Sequence, residues 1–208
     1  MTVEQPLRIG ILGSGNGSNC EAILRACASG QLPGQVAAVI SDSADALILQ
    51  RARQRNIPAT FVGPSQFKTK LEPELEQQIV SLLHTAKVNL VVLAGYMRVV
   101  KSPLLTAFAG RIINVHPSLL PAFPGLKAWE QALNYGARVT GVTVHFVNEG
   151  IDAGPVILQQ PLAILPDDTA ESLHQRIQIV EHTLLPEAIR LFALGKLQIT
   201  GRRVQILE

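Results

Sequence analysis

Three clusters in this chain combine residue types and spacings that chemistry uses. The first is Gly13-Ser14-Gly15-Asn16-Gly17-Ser18-Asn19, placed between the apolar run Leu7 to Leu12 and a helical stripe at Ile23, Leu24 and Cys27. A strand, a glycine-rich turn and a helix start, in that order, offer backbone N–H groups and the positive end of a helix dipole to an anion. Ser18 stands where a third glycine would complete GxGxxG, and no Gly-Lys-Ser/Thr follows, so neither a dinucleotide fingerprint nor a P-loop is present. The bland reading is a tight turn. Alternating glycines with Ser18 and Asn19 exceed what a turn needs and favour a phosphate site. Asp42, after the second apolar run, falls where a ribose-binding acid would stand and keeps a nucleotide reading open.

The second cluster is Asn114-Val115-His116-Pro117-Ser118-Leu119-Leu120-Pro121, at the end of another apolar run. Open α/β sheets place ligands and chemistry at the carboxyl ends of their strands. Residues two apart in an extended chain point the same way, so Asn114 and His116 converge. An amide and an imidazole at one point donate hydrogen bonds to a developing oxyanion. A strand-end histidine that only satisfies nearby backbone is the competing reading. The third candidate is Asp152, in the polar loop from Asn148 to Pro155. An aspartate near glycine is most often turn chemistry, and spacing alone does not bring it to His116.

The elements that must position these residues alternate. Strands are expected at Leu7 to Leu12, Val36 to Ile40, Thr60 to Val62, Leu90 to Ala94 and Arg111 to Val115. Helices are expected at Asn19 to Ala28, Ala44 to Arg55, Leu71 to Ala86 (with Pro73 in its first turn) and Pro103 to Phe108. Strands that are continuous apolar runs, alternating with helices, define an α/β fold: an open, doubly wound, mostly parallel sheet covered on both faces. After Gly125 the rhythm changes. A helix over Lys127 to Tyr135 precedes strands at Thr140 to Val147 and Pro155 to Gln160, too close for a helical crossover and therefore an antiparallel pair in the C-terminal third. A last amphipathic helix spans Thr169 to Leu194, kinked or split at Pro186.

Composition narrows the partners. The chain has 208 residues, 47% hydrophobic and 16% charged, which suits one domain over 1–208 that folds without disulfide or metal. A net charge of +2 with 4% aromatic residues gives no cause to expect nucleic acid. Its apolar stretches fall short of the roughly 18 residues of a membrane span, and no basic segment leads a cleavable hydrophobic one. Cys20 and Cys27 lie seven apart, unlike a zinc knuckle or a CxxC pair, and read as packing thiols in a reducing cytoplasm. No His/Asp/Glu cluster has metal-ligand spacing, so no metal is expected.

Five segments together resemble the phosphoribosylglycinamide formyltransferases, folate-dependent enzymes of purine (IMP) synthesis. They are Ser14 to Asn19, Ala44-Asp45-Ala46, Leu93-Ala94-Gly95-Tyr96-Met97-Arg98, Asn114 to Pro121, and Val144 to Val147 leading to Asp152-Ala153-Gly154-Pro155-Val156-Ile157. The likeness runs from about Arg8 to Leu197. It implies a Rossmann-like formyltransferase fold, with a phosphate-binding half to about 110 and a folate and catalytic half from about 111. It implies glycinamide ribonucleotide as acceptor, held by Gly15, Asn16, Gly17, Ser18 and Asn19, with Glu181 near its amino end. It implies 10-formyltetrahydrofolate as co-substrate, in a pocket lined by Met97, Arg98, Val99 and Val100 and reached by Lys70 and Asn114.

Catalysis would then fall to Asn114, a protonated His116 and Asp152, with Thr143 and His145 on one strand face supporting them from behind. A carboxylate beside His116 is expected to raise the imidazole pKa. Lys70 stands where the family expects Arg, and Lys127 where relatives often carry His. Wider family members share the Asn, His and Asp set, so a hydrolase that releases formate remains an alternative. A nucleotide-binding module without catalysis is the other. No extra N-terminal regulatory domain is expected ahead of the first strand. A cytoplasmic protein, monomeric or weakly dimeric, acting on small molecules and neither membrane nor nucleic acid, completes the expectation.

Overall fold

The computed structural model describes residues 6–208; residues 1–5, over which part of the no-leader reading runs, lie outside them. The first half alternates β1 (Leu7–Leu12), α1 (Ser18–Ala28), β2 (Gly34–Ser41), α2 (Leu47–Gln54), β3 (Ala59–Phe61), α3 (Pro73–Thr85), β4 (Leu90–Leu93), α4 (Ser102–Ala107) and β5 (Ile112–His116). Then come α5 (Ala128–Tyr135), β6 (Val139–Phe146), β7 (Val156–Ala163), α6 (Ala170–Ala193), β8 (Leu197–Thr200) and β9 (Arg203–Ile206). Among the described residues the strands join one sheet in the order β3-β2-β1-β4-β5-β6-β7-β9-β8. Pairing is parallel from β3 through β5 and antiparallel across β5–β6 and β6–β7. The expected doubly wound sheet with its antiparallel pair is present.

Alternation along the strands assigns each face. Ile9, Ile11, Leu90, Val92, Ile113 and Val115 point to a core shared with α1, α2 and α6. Leu12, Val91, Leu93 and Ile112 point the other way, against α3 and α4. A period of two makes that division unavoidable once the sheet is buried on both sides. By the same parity Asn114 and His116 belong to the face of α3 and α4, not to that of α6.

Local chemistry sets the helix boundaries. Pro73 opens α3 at the position where a missing N–H costs nothing. Thr169 caps α6 by accepting from the Ser172 N–H while the Ser172 hydroxyl accepts from the Thr169 amide, an arrangement worth about 1 kcal/mol. Pro186 does not split α6, which runs unbroken from Ala170 to Ala193. Leu185, Ala188 and Ile189 are fully buried around it, and that packing outweighs the roughly 3 kcal/mol a mid-helix proline costs. The helix expected from Ala44 starts at Leu47, after a turn closed by the Ala46 N–H on the Ser43 carbonyl. The hairpin β8–β9, turning at Gly201 with φ 60, extends the sheet beyond anything the sequence reading placed there. Trp129 at the start of α5 stacks on His174 of α6, ring centroids 3.8 Å apart and 5° from parallel.

Candidate active site

Register brings the catalytic candidates together. In the β5–β6 ladder Asn114 faces His145 and His116 faces Thr143, so all four side chains share one face at the carboxyl end of β5. A register shift between Val144 and His145 lets β6 bend where β7 leaves it. Asp152 enters from the loop between those strands with φ 49, a left-handed conformation uncommon outside glycine. Gly154 permits the entry: a Cβ there would stand 1.7 Å from the Phe146 carbonyl oxygen.

The carboxylate of Asp152 is the hub. Its Oδ2 lies 3.4 Å from His116 Nδ1 and accepts the Gly125 N–H at 2.8 Å. Its Oδ1 lies 3.7 Å from His145 Nε2 and 3.4 Å from Asn114 Nδ2. Asn114 Nδ2 also sits 3.2 Å from His145 Nε2. Two carbonyls fix the tautomers: His145 Nδ1 faces the Phe146 oxygen and His116 Nε2 faces the Phe123 oxygen, each at 2.9 Å, so each of those nitrogens carries hydrogen. The contacts from Asn114 are long, as catalytic hydrogen bonds often are before substrate closes the site.

Burial decides the charges. It pushes the Asp152 carboxyl up, but His145, His116 and the Gly125 amide together outweigh it and hold the pKa below the ordinary value. For His116 the balance goes the other way. Burial of a ring only 4% exposed lowers its pKa, and the opposing pull of Asp152 and the Phe123 carbonyl does not recover it. The expected rise is therefore corrected. In the free protein near neutrality His116 is an uncharged imidazole with its proton on Nε2, because desolvation exceeds the attraction of one carboxylate 3.4 Å away.

Among the described residues the Thr143 hydroxyl makes no hydrogen bond to Asn114, His116 or Asp152. Its hydroxyl donates to the Ser118 carbonyl at 2.7 Å and accepts from the Leu120 N–H at 3.0 Å and Gln159 Nε2 at 2.9 Å. It fixes the loop that follows His116. Ser118 Oγ in turn donates to the Ala122 carbonyl at 2.5 Å, which sets the turn presenting the Phe123 oxygen. His145, by contrast, contacts the catalytic side chains directly.

The glycine cluster forms the start of α1. Gly17 is its cap, with φ 79, and no side chain among the described residues caps the helix. Among the described residues no protein acceptor takes the N–H groups of Gly17, Ser18 or Asn19. Arg51, which sequence reasoning missed, grips this loop from α2, its Nε on the Asn16 carbonyl at 2.9 Å and an Nη on Asn16 Oδ1 at 2.8 Å. Asn19 Nδ2 donates to Glu181 Oε2 at 2.8 Å across α1 and α6, while Asn19 Oδ1 is buried without a partner among the described residues. Burial lifts the Glu181 carboxyl to about 7, against the opposing hydrogen bond from Asn19.

Residues 97–100 form the loop after β4. Met97 is exposed, Val100 is buried, and the Val99 N–H donates to the Thr69 carbonyl at 2.8 Å. Arg98 turns its guanidinium to Asp42 and to the Phe67 carbonyl. Asp42 also accepts from Ser14 Oγ at 2.5 Å, so both its oxygens are engaged by protein, against the ribose-binding role its position suggested. Lys70 holds its ammonium 4.4 Å over the Phe67 ring. Cys20 is a free buried thiol whose pKa burial drives up to about 12, a packing residue as expected. Among the described residues no group of His, Cys, Asp and Glu is arranged to hold a metal, and no helix is long and apolar enough to cross a membrane.

An amide, an imidazole and a carboxylate at the carboxyl ends of a mostly parallel sheet, with an open helix start nearby, give oxyanion donors beside a proton acceptor and an anion site, the equipment of an acyl-group transferase. The chain belongs to the formyl transferase family, whose sequence profile matches residues 7–189. It is 40% identical over 192 residues to phosphoribosylglycinamide formyltransferase of Haemophilus influenzae, covering 92% of this chain and 90% of that one. Glycinamide ribonucleotide transformylase 1 from Symbiobacterium toebii superimposes with a TM-score of 0.93 at 52% identity, over 98% of this chain and 95% of that one. A formyltetrahydrofolate deformylase from Pseudomonas syringae shares the fold with a TM-score of 0.90 but only 25% identity, over 99% of this chain and 67% of that one.

Proposed function

We propose that this protein transfers the formyl group of 10-formyltetrahydrofolate to the amine of 5-phosphoribosylglycinamide. The observation that carries the reading is the juxtaposition of Asn114, His116 and Asp152, within 3.4 Å contacts of one carboxylate, on the sheet that also presents the uncapped start of α1. Identity of 52% to a transformylase against 25% to a deformylase favours transfer over hydrolysis.

The phosphate of the acceptor occupies the free N–H groups of Gly17, Ser18 and Asn19, beside Gly15 and the Asn16 that Arg51 holds. Glu181 and the unpartnered Asn19 Oδ1 take up hydrogen-bond donors nearer its amine. Backbone groups of Met97, Arg98, Val99 and Val100 receive the folate ring, and Lys70 faces its tail. The neutral amine then attacks the formyl carbon, and the carbonyl electron pair moves onto oxygen. Asn114 Nδ2 and His116 Nε2, released from the Phe123 carbonyl, donate to that oxyanion. Negative charge developing beside the ring raises the proton affinity of His116 above its resting value. Asp152, ionised and held by the Gly125 N–H, accepts the proton leaving the ammonium, directly or through a water. That proton passes to the folate nitrogen as the carbon–nitrogen bond breaks. His145 positions Asn114 and Asp152, and Thr143 holds the loop that closes the site.

All 208 residues serve this as one domain, with the phosphate half to about 110 and the catalytic half beyond it. The protein works in the cytoplasm on small molecules, as a monomer or weak dimer, without metal. The test is deformylation of 10-formyltetrahydrofolate by purified protein, followed with and without the acceptor. Turnover only with the acceptor, lost in Asp152→Asn, supports the proposal. Formate release without acceptor would make it a hydrolase, and no turnover at all would refute it.

A further inference from the structure

Asp42, singled out in the sequence as a nucleotide-binding candidate, is left without a task by the catalytic reading. It stands just beyond β2, next to β1 and its glycine-rich loop, with β4 and the loop that holds Met97 to Val100 on the far side of β1. Ser14 Oγ donates to its Oδ1 at 2.5 Å, and Arg98 Nε donates to its Oδ2 at 2.5 Å. The Ser14 oxygen accepts the Met97 N–H at 2.9 Å, and the Ser14 N–H donates to the Gly95 carbonyl at 3.0 Å. Arg98 carries the chain of contacts on to the Phe67 carbonyl. The Asp42 side chain is 7% exposed and that of Arg98 16%.

We propose that Asp42 is a positioning residue that locks the loop of residues 95–101 onto the glycine-rich loop, so that one carboxylate sets both substrate sites. The inference rests on the assignment of those loops to folate and acceptor. The directions of the hydrogen bonds carry it. A serine hydroxyl has one proton, and only an acceptor at Asp42 Oδ1 takes it, which leaves a lone pair for the Met97 N–H. The guanidinium has donors alone and needs the second oxygen. An amide at this position would set a donor against either Arg98 or Ser14. Facing Arg98, it opposes donor to donor. Facing Ser14, it makes the hydroxyl accept twice, from the amide and from the Met97 N–H, and strips the hydroxyl proton of its carboxylate, so the serine turns away from the geometry that holds Met97. Either way one of the two loops comes loose, and the low exposure keeps water from replacing the lost contact cheaply.

The experiment uses the full chain in two variants, Asp42→Asn and the milder Ser14→Ala, with KM for each substrate, kcat, and amide hydrogen exchange without ligand. In both variants KM for acceptor and folate rises on the order of tenfold, while kcat at saturation stays within about threefold, because misplaced loops weaken binding more than chemistry. Exchange accelerates in residues 13–19 and 95–101 together. A rise in only one KM, a fall in kcat with both KM values kept, or unchanged exchange in either loop overturns the proposal. If Asp42→Asn does not fold, Ser14→Ala decides by the same measures. Exchange needs no turnover, so it judges the lock even if the wild-type chain proves not to be a formyltransferase.

Discussion

Replacing Glu181 with Gln conserves the shape of a side chain that is 6% exposed and removes its charge. Its carboxyl titrates at about 7 in the folded protein against an ordinary 4.5, because burial disfavours the anion and one hydrogen bond from Asn19 does not compensate. Below pH 4.5 the group is neutral in folded and unfolded chains, and its full contribution to stability is present. As pH rises towards 7 the unfolded chain loses the proton first, and stability is withdrawn until the folded carboxyl has ionised as well. The displacement is worth roughly 3 kcal/mol. Gln does not titrate, and its NH2 supplies a donor to the buried Asn19 Oδ1 that now lacks one. Glu181→Gln should match the wild type near pH 4.5 and exceed it by up to roughly 3 kcal/mol at pH 8.5, in urea unfolding at both values. The same variant should raise KM for the acceptor, since stability gained at this site is affinity lost. A difference in stability that does not depend on pH, or a variant weaker than wild type at pH 8.5, would refute the reasoning.

The catalytic centre and its loop give further expectations. Asn114→Ala should lower kcat by about a hundredfold or more in the formyl-transfer assay, with the fold retained by circular dichroism. The His116 imidazole, followed by NMR, should titrate below 6.5 in the free protein, and lower still in Asp152→Asn, where the charge that favours its proton is gone. Gly154→Ala should cost about 1–3 kcal/mol in thermal unfolding, and turnover with it, because a Cβ 1.7 Å from the Phe146 oxygen forces the Asp152 loop outward.

Much of this site was legible because period-two geometry is local. The spacing of Asn114 and His116 put them on one face, and the face is the one expected at a strand end. The glycine cluster announced the open helix start for the same reason. What stayed hidden depends on contacts between distant segments. Asp152 meets His116 only because β6 turns back on β5, and Asp42 meets Arg98 across 56 residues of sequence. Two of the groups that hold the centre, the Phe123 carbonyl and the Gly125 amide, are backbone and leave no mark in residue type. The charge of His116 was misjudged since a neighbouring carboxylate is visible in sequence and the depth of burial is not. No element is expected from the sequence after Leu194, although Leu197 and Ile199 alternate before the turn at Gly201 that makes the hairpin β8–β9.

The stacked pair of Trp129 and His174 gives this chain an optical handle. Trp129 is its sole tryptophan, so every photon of indole emission comes from the first turn of α5. That turn directly follows the loop that lends the Phe123 carbonyl and Gly125 amide to the catalytic centre. Its stacking partner rides on the helix that also carries Glu181. Burial holds the His174 pKa below its ordinary value, so near neutral pH the ring is uncharged and a weak quencher. Substrate arrival at either end of the site therefore has a short mechanical route to the fluorophore. Stopped-flow emission can time the loop and the helix in the native chain, with no dye attached.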